Sequence, residues 1–282
     1  MITFIGTGLL GSNFVKAMLQ KGQQVNVWNR TASKAKALES FGAKAYDNIN
    51  EAVRGVERIH LTLSDDHAVD EILDKARTGF TLGVTIIDHS TTSTKGAAQR
   101  TEQWKKYGYT YLHAPVFMGP KDALESTGYM LVSGDQNIIR NVEPLLSTMT
   151  GKVLNFGAET NKAAGIKLMG NSFLLFLTAG LSDALALAQA MNIPSSDLVL
   201  LFDNWNPGAM VPNRLKGMLS ANFGNPSWEL NMAGKDARLM IEEANNGNKH
   251  LAAIPAISIE MDKWISKGYG NSDWTVIAKD NL

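Results

Sequence analysis

The sequence has no cysteine and no excess of either charge. Among its 282 residues, Lys+Arg and Asp+Glu both number 27, so the formal net charge is zero. The lack of cysteine excludes disulfides and thiolate catalysis. With no basic stripe, we expect no nucleic-acid partner. Unbroken apolar runs such as Phe173–Leu177 are too short to cross a bilayer, so we also expect no membrane partner.

Histidine is sparse, and its spacing matches no metal site. The five histidines include no HExxH motif and no set at ligand spacing, so we expect no bound metal. His89 and His113 flank the cleft proposed below. Histidines in such places are mostly structural, and we do not expect these two to be catalytic.

The length and composition are typical of a globular chain with two cores. A hydrophobic content of 44% is ample for sizeable cores, and single cores rarely grow past ~250–300 residues. The N-terminus leads directly into an apolar run, Ile2–Ile5, with no charged leader before it. We therefore expect a two-domain cytoplasmic protein.

The first thirty residues carry a glycine motif in a specific context. An apolar strand ends in Gly6-Thr7-Gly8-Leu9-Leu10-Gly11, a helical pattern follows, and Gln24–Trp28 reads as a second strand. Strand, GxGxxG, helix and strand together form the dinucleotide fingerprint. The glycines permit a tight turn and close approach of a pyrophosphate, and the helix N-terminus offers free N–H groups to it. We expect the cofactor to bind at Gly6, Gly8, Leu9, Leu10 and Gly11.

The end of the second strand distinguishes NADP from NAD. A carboxylate there would bind the ribose 2′-hydroxyl of NAD, but this chain has Asn29-Arg30-Thr31, with Lys34 one turn later. A neutral amide with a neighbouring arginine removes repulsion of a 2′-phosphate and offers it a fork-shaped partner. Thr31 also suits the cap of the next helix. The pattern favours NADP.

Strands and helices alternate as far as residue 160, and strands then disappear. This pattern predicts an α/β fold, with a Rossmann-type doubly wound sheet at residues 1–160 and an all-α domain at residues 161–282. Cofactors bind beyond the carboxyl ends of the strands in such sheets. We expect three segments to surround the nicotinamide, namely Leu63-Ser64, His89-Ser90-Thr91 and the loop Ala114–Gly119.

The second half opens with an unusually long apolar helix, predicted over Asn161–Met191. Only Lys167 and Asp183 are charged between Ile166 and Ala190, so the helix should be buried. A polar stripe runs along one face, at Lys167, Asn171, Thr178 and Ser182. A lysine here either reaches solvent along its apolar stem or is buried for a chemical role. These residues alone do not decide between the two. Shorter helices are predicted at residues 195–204, 212–219, 228–246 and 254–267.

Taken in order, these motifs resemble the β-hydroxyacid dehydrogenase family, which includes the 3-hydroxyisobutyrate, 6-phosphogluconate and glyoxylate-reductase types. The resemblance spans nearly the whole chain and rests on Gly6–Gly11, Asn29-Arg30-Thr31, Asp88-His89-Ser90-Thr91, Ala114-Pro115-Val116, Lys167 with Asn171, and Lys235-Asp236. It implies that Lys167 is the catalytic lysine and that Asn171 positions the substrate. It also implies that Thr91 and Lys235 lie by the nicotinamide, with Asp236 in a supporting role.

One loop departs from the family pattern. Where the family usually has Ser-Gly-Gly to bind a substrate carboxylate, this chain has Phe117-Met118-Gly119. Phenylalanine cannot donate that hydrogen bond, and methionine fills space that glycine would leave open. A larger or less polar carbonyl substrate becomes plausible, although a repacked loop with the carboxylate bound elsewhere is the alternative. Ser90 and Asp236 complete the expected substrate site.

The sequence therefore predicts an NADPH-dependent oxidoreductase that acts on a small carbonyl or hydroxy compound, with Lys167 as general acid and base. Related imine reductases usually lack the lysine, so Lys167 favours C=O over C=N chemistry. Imine reduction and non-catalytic NADPH binding are the two alternatives. The strongly apolar helix also favours a homodimer.

Overall fold

In a computed structural model, all 282 residues are described, and they divide into two compact units, Met1–Asn171 and Ser172–Leu282. Residue 160, where the sequence places the boundary, lies in the turn before the long helix. The division by packing falls eleven residues later, within that helix. Nearly three turns at the start of the helix, Lys162–Asn171, therefore belong with the first unit.

The first unit contains a six-stranded parallel sheet in the order β3-β2-β1-β4-β5-β6. The strands are β1 (Ile2–Ile5), β2 (Val25–Trp28), β3 (Lys44–Ala45), β4 (Arg58–Leu61), β5 (Thr85–Asp88) and β6 (Thr110–His113). The strand order reverses between β1 and β4, which is the switch point where such sheets bind a nucleotide. This confirms the predicted Rossmann-type fold.

Helices cover both faces of this sheet, and two apolar clusters fill the space beneath them. The helices are α1 (Leu9–Gln20), α2 (Ala32–Lys36), α3 (Ile49–Ala52), α4 (Asp66–Ala76), α5 (Thr94–Lys106), α6 (Pro120–Glu125) and α7 (Gln136–Leu146). Neighbouring residues of β1 enter opposite clusters, with Phe4 in one and Ile5 in the other. This alternation is expected of a strand with both faces covered.

A second, three-stranded sheet follows in the order β7-β8-β9, with β7 (Val116–Phe117), β8 (Tyr129–Val132) and β9 (Lys152–Asn155). β7 pairs antiparallel with β8, and β8 pairs parallel with β9. The sequence predicts β8 and β9 but assigns Ala114–Gly119 wholly to a loop. The pairing of Phe117 with Tyr129 instead gives the backbone at Phe117 a fixed register.

The second unit is helical, as predicted. It contains most of α8 (Lys162–Ala190), then α9 (Ser195–Asn204), α10 (Val211–Leu219), α11 (Leu230–Asn246) and α12 (Ile254–Trp264). Three shorter helical segments are not predicted as separate elements: 3₁₀ segments at Pro207–Met210 and Trp274–Asn281, and a π-helical turn at Ile265–Tyr269. An apolar cluster including Leu230, Met261 and Trp264 forms the core.

Helix α8 differs from the sequence expectation in its burial. Its apolar side chains are largely exposed, and Leu175 at 73% and Phe176 at 68% are the extremes. It is long and apolar enough to cross a membrane by length and composition alone, a test that core helices of soluble proteins also pass. The burial expected from the sequence is therefore not provided by the chain itself, because these residues find no cover within it.

Candidate active site

The turn between β1 and α1 closes tightly because two of its glycines leave no room for a side chain. Gly6 has φ of +88°, and a Cβ there would lie 2.2 Å from the carbonyl oxygen of Thr62. A Cβ on Gly11 would lie 2.0 Å from the carbonyl oxygen of Gly6. The Thr62 hydroxyl donates to that same Gly6 carbonyl at 2.8 Å. The turn is thus pressed against the end of β4 in a shape that requires glycine.

Gly8 shows the opposite environment, since a Cβ on it would meet no atom within 4 Å. It caps α1, and neither a capping side chain nor an acidic residue occupies the first turn. The first helical hydrogen bond joins Ser12 N–H to the Gly8 carbonyl. The N–H groups of Leu9, Leu10 and Gly11 therefore lack helical partners. Such a helix N-terminus binds phosphate, so the residues present fit a dinucleotide.

A cavity of about 270 Å³ lies beside this turn. It brings together eight of the predicted cofactor residues, from three strand ends: Gly6, Gly8, Asn29, Arg30, Thr31, Lys34, Leu63 and Ser64. Ala68, Glu71 and Ile72 of α4 complete one wall. Thr91 follows β5 and does not line this cavity.

Two cations stand free at the edge of this cavity. Arg30 and Lys34 are exposed, and neither forms an ion pair within the chain. Lys36, on the same short helix, pairs instead with Asp47 at 3.2 Å. Asn29 has an internal role, since its Oδ1 accepts from Thr7 N–H at 2.9 Å and its Nδ2 donates to the Thr31 carbonyl at 3.0 Å. Asn29 thereby joins the glycine turn to the segment that carries Arg30.

Lys167 is nearly buried and has no carboxylate partner. The residue is 9% exposed, and its Nζ donates to Asn171 Oδ1 at 3.0 Å. Burial lowers the pKa of this ammonium below its ordinary value. A lysine that merely reaches solvent would keep its charged end in water, so the geometry disfavours that alternative. A lowered pKa makes this ammonium a stronger proton donor than an exposed lysine.

Phe117 covers this lysine on one side. The ammonium lies 4.2 Å from the centroid of the Phe117 ring, within cation–π range. The ring seats against Gly170 so closely that a Cβ on Gly170 would lie 2.2 Å from Phe117 Cζ. The aromatic side chain at this loop position therefore contacts both Lys167 and the helix that carries it.

Three other residues predicted to bind the substrate, Met118, Gly119 and Ser90, make contacts elsewhere in the first unit. Met118 packs against the core cluster of the first unit, and its Cγ lies close to Gly128. Gly119 N–H donates to Asp122 Oδ2 at 2.8 Å and caps α6. Ser90 is 3% exposed, and its hydroxyl accepts from Leu63 N–H at 2.9 Å. Each of these three residues thus already has partners within the protein. Their predicted roles in binding substrate remain predictions.

Lys235 and Asp236 lie on α11 in the second unit. Their side chains form an ion pair at 2.8 Å on a partly exposed part of the helix. Their predicted places beside nicotinamide and substrate remain predictions.

Comparison with known proteins places this geometry in a family. Residues 1–157 match the family model described as the NAD binding domain of 6-phosphogluconate dehydrogenase. The chain belongs to the β-hydroxyacid dehydrogenase family. This confirms the resemblance found in the sequence and makes the chain an NAD(P)-dependent oxidoreductase.

Within the β-hydroxyacid dehydrogenase family, the chain is similar along its whole length to reductases of aldehydes. It is 28% identical to the chloroplastic glyoxylate/succinic semialdehyde reductase 2 of Arabidopsis thaliana, over 96% of this chain and 76% of that one. It is 25% identical to the 3-sulfolactaldehyde reductase of Escherichia coli, over 98% and 94%. By fold it is similar to an imine reductase from Myxococcus stipitatus in complex with NADP+, with a TM-score of 0.92, 20% identity and 99% of each chain covered.

The two histidines singled out in this β-hydroxyacid dehydrogenase sequence, His89 and His113, are buried, and neither lines the cavity beside the glycine turn. His89 Nδ1 donates to the Ala114 carbonyl at 2.8 Å, and its Nε2 lies 3.0 Å from His60 Nδ1. His113 Nε2 lies 2.9 Å from the Ser90 carbonyl. Burial lowers the pKa of all three below the ordinary value, to about 4 for His89. These lowered pKa values favour neutral rings, and the buried contacts give His89 and His113 structural roles; that neither is catalytic remains a prediction.

Asp183 is a buried charge whose role the sequence did not reveal. Its carboxylate accepts from the N–H groups of Ala252, Ala253 and Ile254 at 2.6–3.0 Å and so caps α12. Burial alone would raise the pKa of Asp183, but these hydrogen bonds outweigh burial and lower it. The sequence analysis placed Ser182, and not Asp183, on the polar stripe of α8. The role of Asp183 leaves no local pattern, because the helix that it caps begins about seventy residues later.

Proposed function

We propose that this protein is an NADPH-dependent reductase of small aldehydes or related carbonyl compounds, with Lys167 as the proton donor. The observation that carries the proposal is the nearly buried Lys167 ammonium, which has a lowered pKa and an amide partner but no carboxylate. The similarity to a semialdehyde reductase and a sulfolactaldehyde reductase supports this substrate class.

The chemistry follows from the groups around this lysine. A bound reduced nicotinamide supplies hydride to the carbonyl carbon. Negative charge then develops on the substrate oxygen, where the Lys167 ammonium stabilises it and donates a proton. Asn171, which accepts a hydrogen bond from Nζ, fixes the direction of the ammonium. In the reverse direction the neutral amine accepts the proton from the hydroxyl group.

We propose NADP as the cofactor because Arg30 and Lys34 are exposed, unpaired and lie in the wall of the cavity. A 2′-phosphate would accept hydrogen bonds from the Arg30 fork. In Arg30→Ala, the preference for NADPH over NADH should fall at least tenfold, because charged hydrogen bonds contribute about 1.5–3 kcal/mol. The ratio of kcat/KM for the two cofactors measures it. Lys36→Ala is the matched control, since Lys36 lies on the helix that follows Arg30 but is paired with Asp47. An unchanged ratio in Arg30→Ala would overturn the assignment.

Reduction of imines is the second candidate, because the chain superposes well on an imine reductase fold. An ammonium could donate a proton to either product, so the substrate itself separates the two candidates. An NADPH-oxidation screen over small aldehydes, ketoacids and cyclic imines tests both. Turnover of aldehydes or ketoacids supports the proposal. Turnover of imines alone supports the second candidate. Tight NADPH binding without any turnover would point to a non-catalytic protein.

We also propose that a second copy of this chain covers the exposed apolar side chains of α8 and α9, giving a cytoplasmic homodimer. Single chains seldom expose contiguous apolar patches beyond a few hundred Å². These exposed side chains are Phe173, Leu174, Leu175, Phe176, Leu177, Leu181, Leu185, Val199, Leu200 and Leu201. The five consecutive residues Phe173–Leu177 point in all directions around α8, so a partner chain that buries them surrounds the helix.

A further inference from the structure

An ionic network around a buried arginine joins two loops at the carboxyl end of the sheet. At its centre is Arg100 of α5, which is 1% exposed. Its Nη2 donates to Asp66 Oδ1 at 2.7 Å, its Nη1 to Asp70 Oδ1 at 3.2 Å, and its Nε to the Tyr111 hydroxyl at 2.9 Å. All of the guanidinium nitrogens are therefore engaged, by groups from α4 and β6.

The network continues from Tyr111 to the cofactor cavity. The Tyr111 hydroxyl donates to Asp88 Oδ2 at 2.6 Å, and Asp88 Oδ1 accepts from Ser90 N–H at 2.8 Å. The Ser90 hydroxyl in turn accepts from Leu63 N–H at 2.9 Å. Leu63 lines the cavity beside the glycine turn. The chain of contacts therefore runs from Arg100 to the cavity wall.

A second set of hydrogen bonds, through Asp66 and Ser93, joins the same two loops. Asp66 follows Leu63 by three residues, and its Oδ2 accepts from Ser93 N–H at 2.8 Å. Ser93 follows Ser90 by three residues and caps α5 through Gly96 N–H. A Cβ on Gly96 would lie 1.9 Å from Asp66 Oδ1, so only glycine admits the carboxylate here. The loops Leu63–Asp66 and Ser90–Ser93 are consequently held to each other at both ends.

Stability alone does not account for this network. Removing charges from water is costly, and replacing a buried ion pair with packed apolar residues is often neutral or stabilising. Its geometric consequence is specific, because it sets the separation of two loops of which one lines the cofactor cavity. Holding such loops in place before binding reduces the ordering that a ligand must otherwise impose.

We propose that Arg100 is a positioning residue that acts through Asp66 and Tyr111. It keeps the Leu63–Asp66 and Ser90–Ser93 loops in the arrangement that receives the dinucleotide. This inference rests on the proposed function, in that NADPH is taken as the ligand of the cavity.

The test is the Kd of NADPH for the full chain, measured by fluorescence titration, together with KM and kcat. Tyr111→Phe keeps the ring and removes the hydroxyl that joins Arg100 to Asp88. Its Kd and KM for NADPH should rise about tenfold or more, as expected from losing hydrogen bonds to charged groups. The kcat at saturating NADPH should change little. Arg100→Lys should show the same rise, because one ammonium cannot replace a fork with three partners.

The matched control is Lys121→Gln, which removes an exposed lysine paired with Glu125 at 3.9 Å, and its Kd should be unchanged. A purely structural network would lower the melting temperature of Tyr111→Phe and Arg100→Lys but leave the Kd of the folded protein as in wild type. That result would overturn the inference. If Arg100→Lys does not fold, Tyr111→Phe decides alone. Failure of the wild type to bind NADPH would instead overturn the proposed function.

Discussion

A methyl group added at Gly170 tests the contact that links Phe117 to the helix that carries Lys167. Replacing glycine by alanine inside a helix normally stabilises it by about 1 kcal/mol. In Gly170→Ala, however, the new Cβ would lie 2.2, 2.8 and 3.1 Å from three atoms of the Phe117 ring. Either the backbone yields, at about 1–3 kcal/mol for overpacking, or the ring leaves the Lys167 ammonium and loses a cation–π contact of about 0.5–2 kcal/mol.

The helical gain and the steric cost therefore oppose each other, and we expect the cost to prevail. Gly165→Ala on the same helix is the matched control, because its Cβ would meet only Thr94 Cγ2, at an ordinary 3.5 Å. Gly170→Ala should be less stable than Gly165→Ala by about 1–3 kcal/mol. Denaturant unfolding measures this difference. In the background of Phe117→Leu the penalty should largely disappear, and the double-mutant cycle isolates the contact. Equal stabilisation by both alanines would refute the reasoning.

Two further predictions concern acid stability and assembly. Burial lowers the pKa of His89 to about 4 in the folded chain. The contribution of the neutral ring to the free energy of unfolding is therefore complete above pH 6.5 and is lost as the pH falls toward 4. The loss is about 3 kcal/mol, and His89→Gln, which can keep the hydrogen bond to Ala114, should show a smaller fall in unfolding free energy over that range; identical slopes would contradict this. In sedimentation equilibrium the wild type should be a dimer and Leu175→Glu a monomer. Leu82→Glu should remain dimeric, because Leu82 is at least as exposed as Leu175 but lies in the first unit. A monomeric wild type would contradict the proposed interface.

Features with a local signature could be predicted from the sequence. The spacing of Gly6, Gly8 and Gly11 after a strand determines the turn, because each glycine acts within six residues of the others. The place of Arg30 in the cavity wall could be predicted because the residue lies just after the end of β2. The ends of the helices in the second unit were close to those observed, since proline and glycine interrupt the pattern there.

Features that depend on distant residues could not be predicted. Arg100, Tyr111 and Asp66 lie on separate elements, and nothing in their spacing indicates that they meet. Phe117 reaches Gly170 only because β7 pairs with β8, which fixes the register of a short strand read as a loop. The exposure of α8 was also missed, because an apolar helix has the same composition whether its own chain or another covers it.

The central claim is that Lys167 donates the proton in carbonyl reduction, and Lys167→Met tests it most directly. The measurement is the turnover number for NADPH oxidation with the best carbonyl substrate from the screen, with NADPH affinity measured on the same samples. Lys162→Met, an exposed lysine on the same helix, is the control. The account predicts that Lys167→Met loses about 10²–10⁴-fold in kcat while it binds NADPH as tightly as the wild type. Near-normal turnover with intact NADPH binding would contradict it.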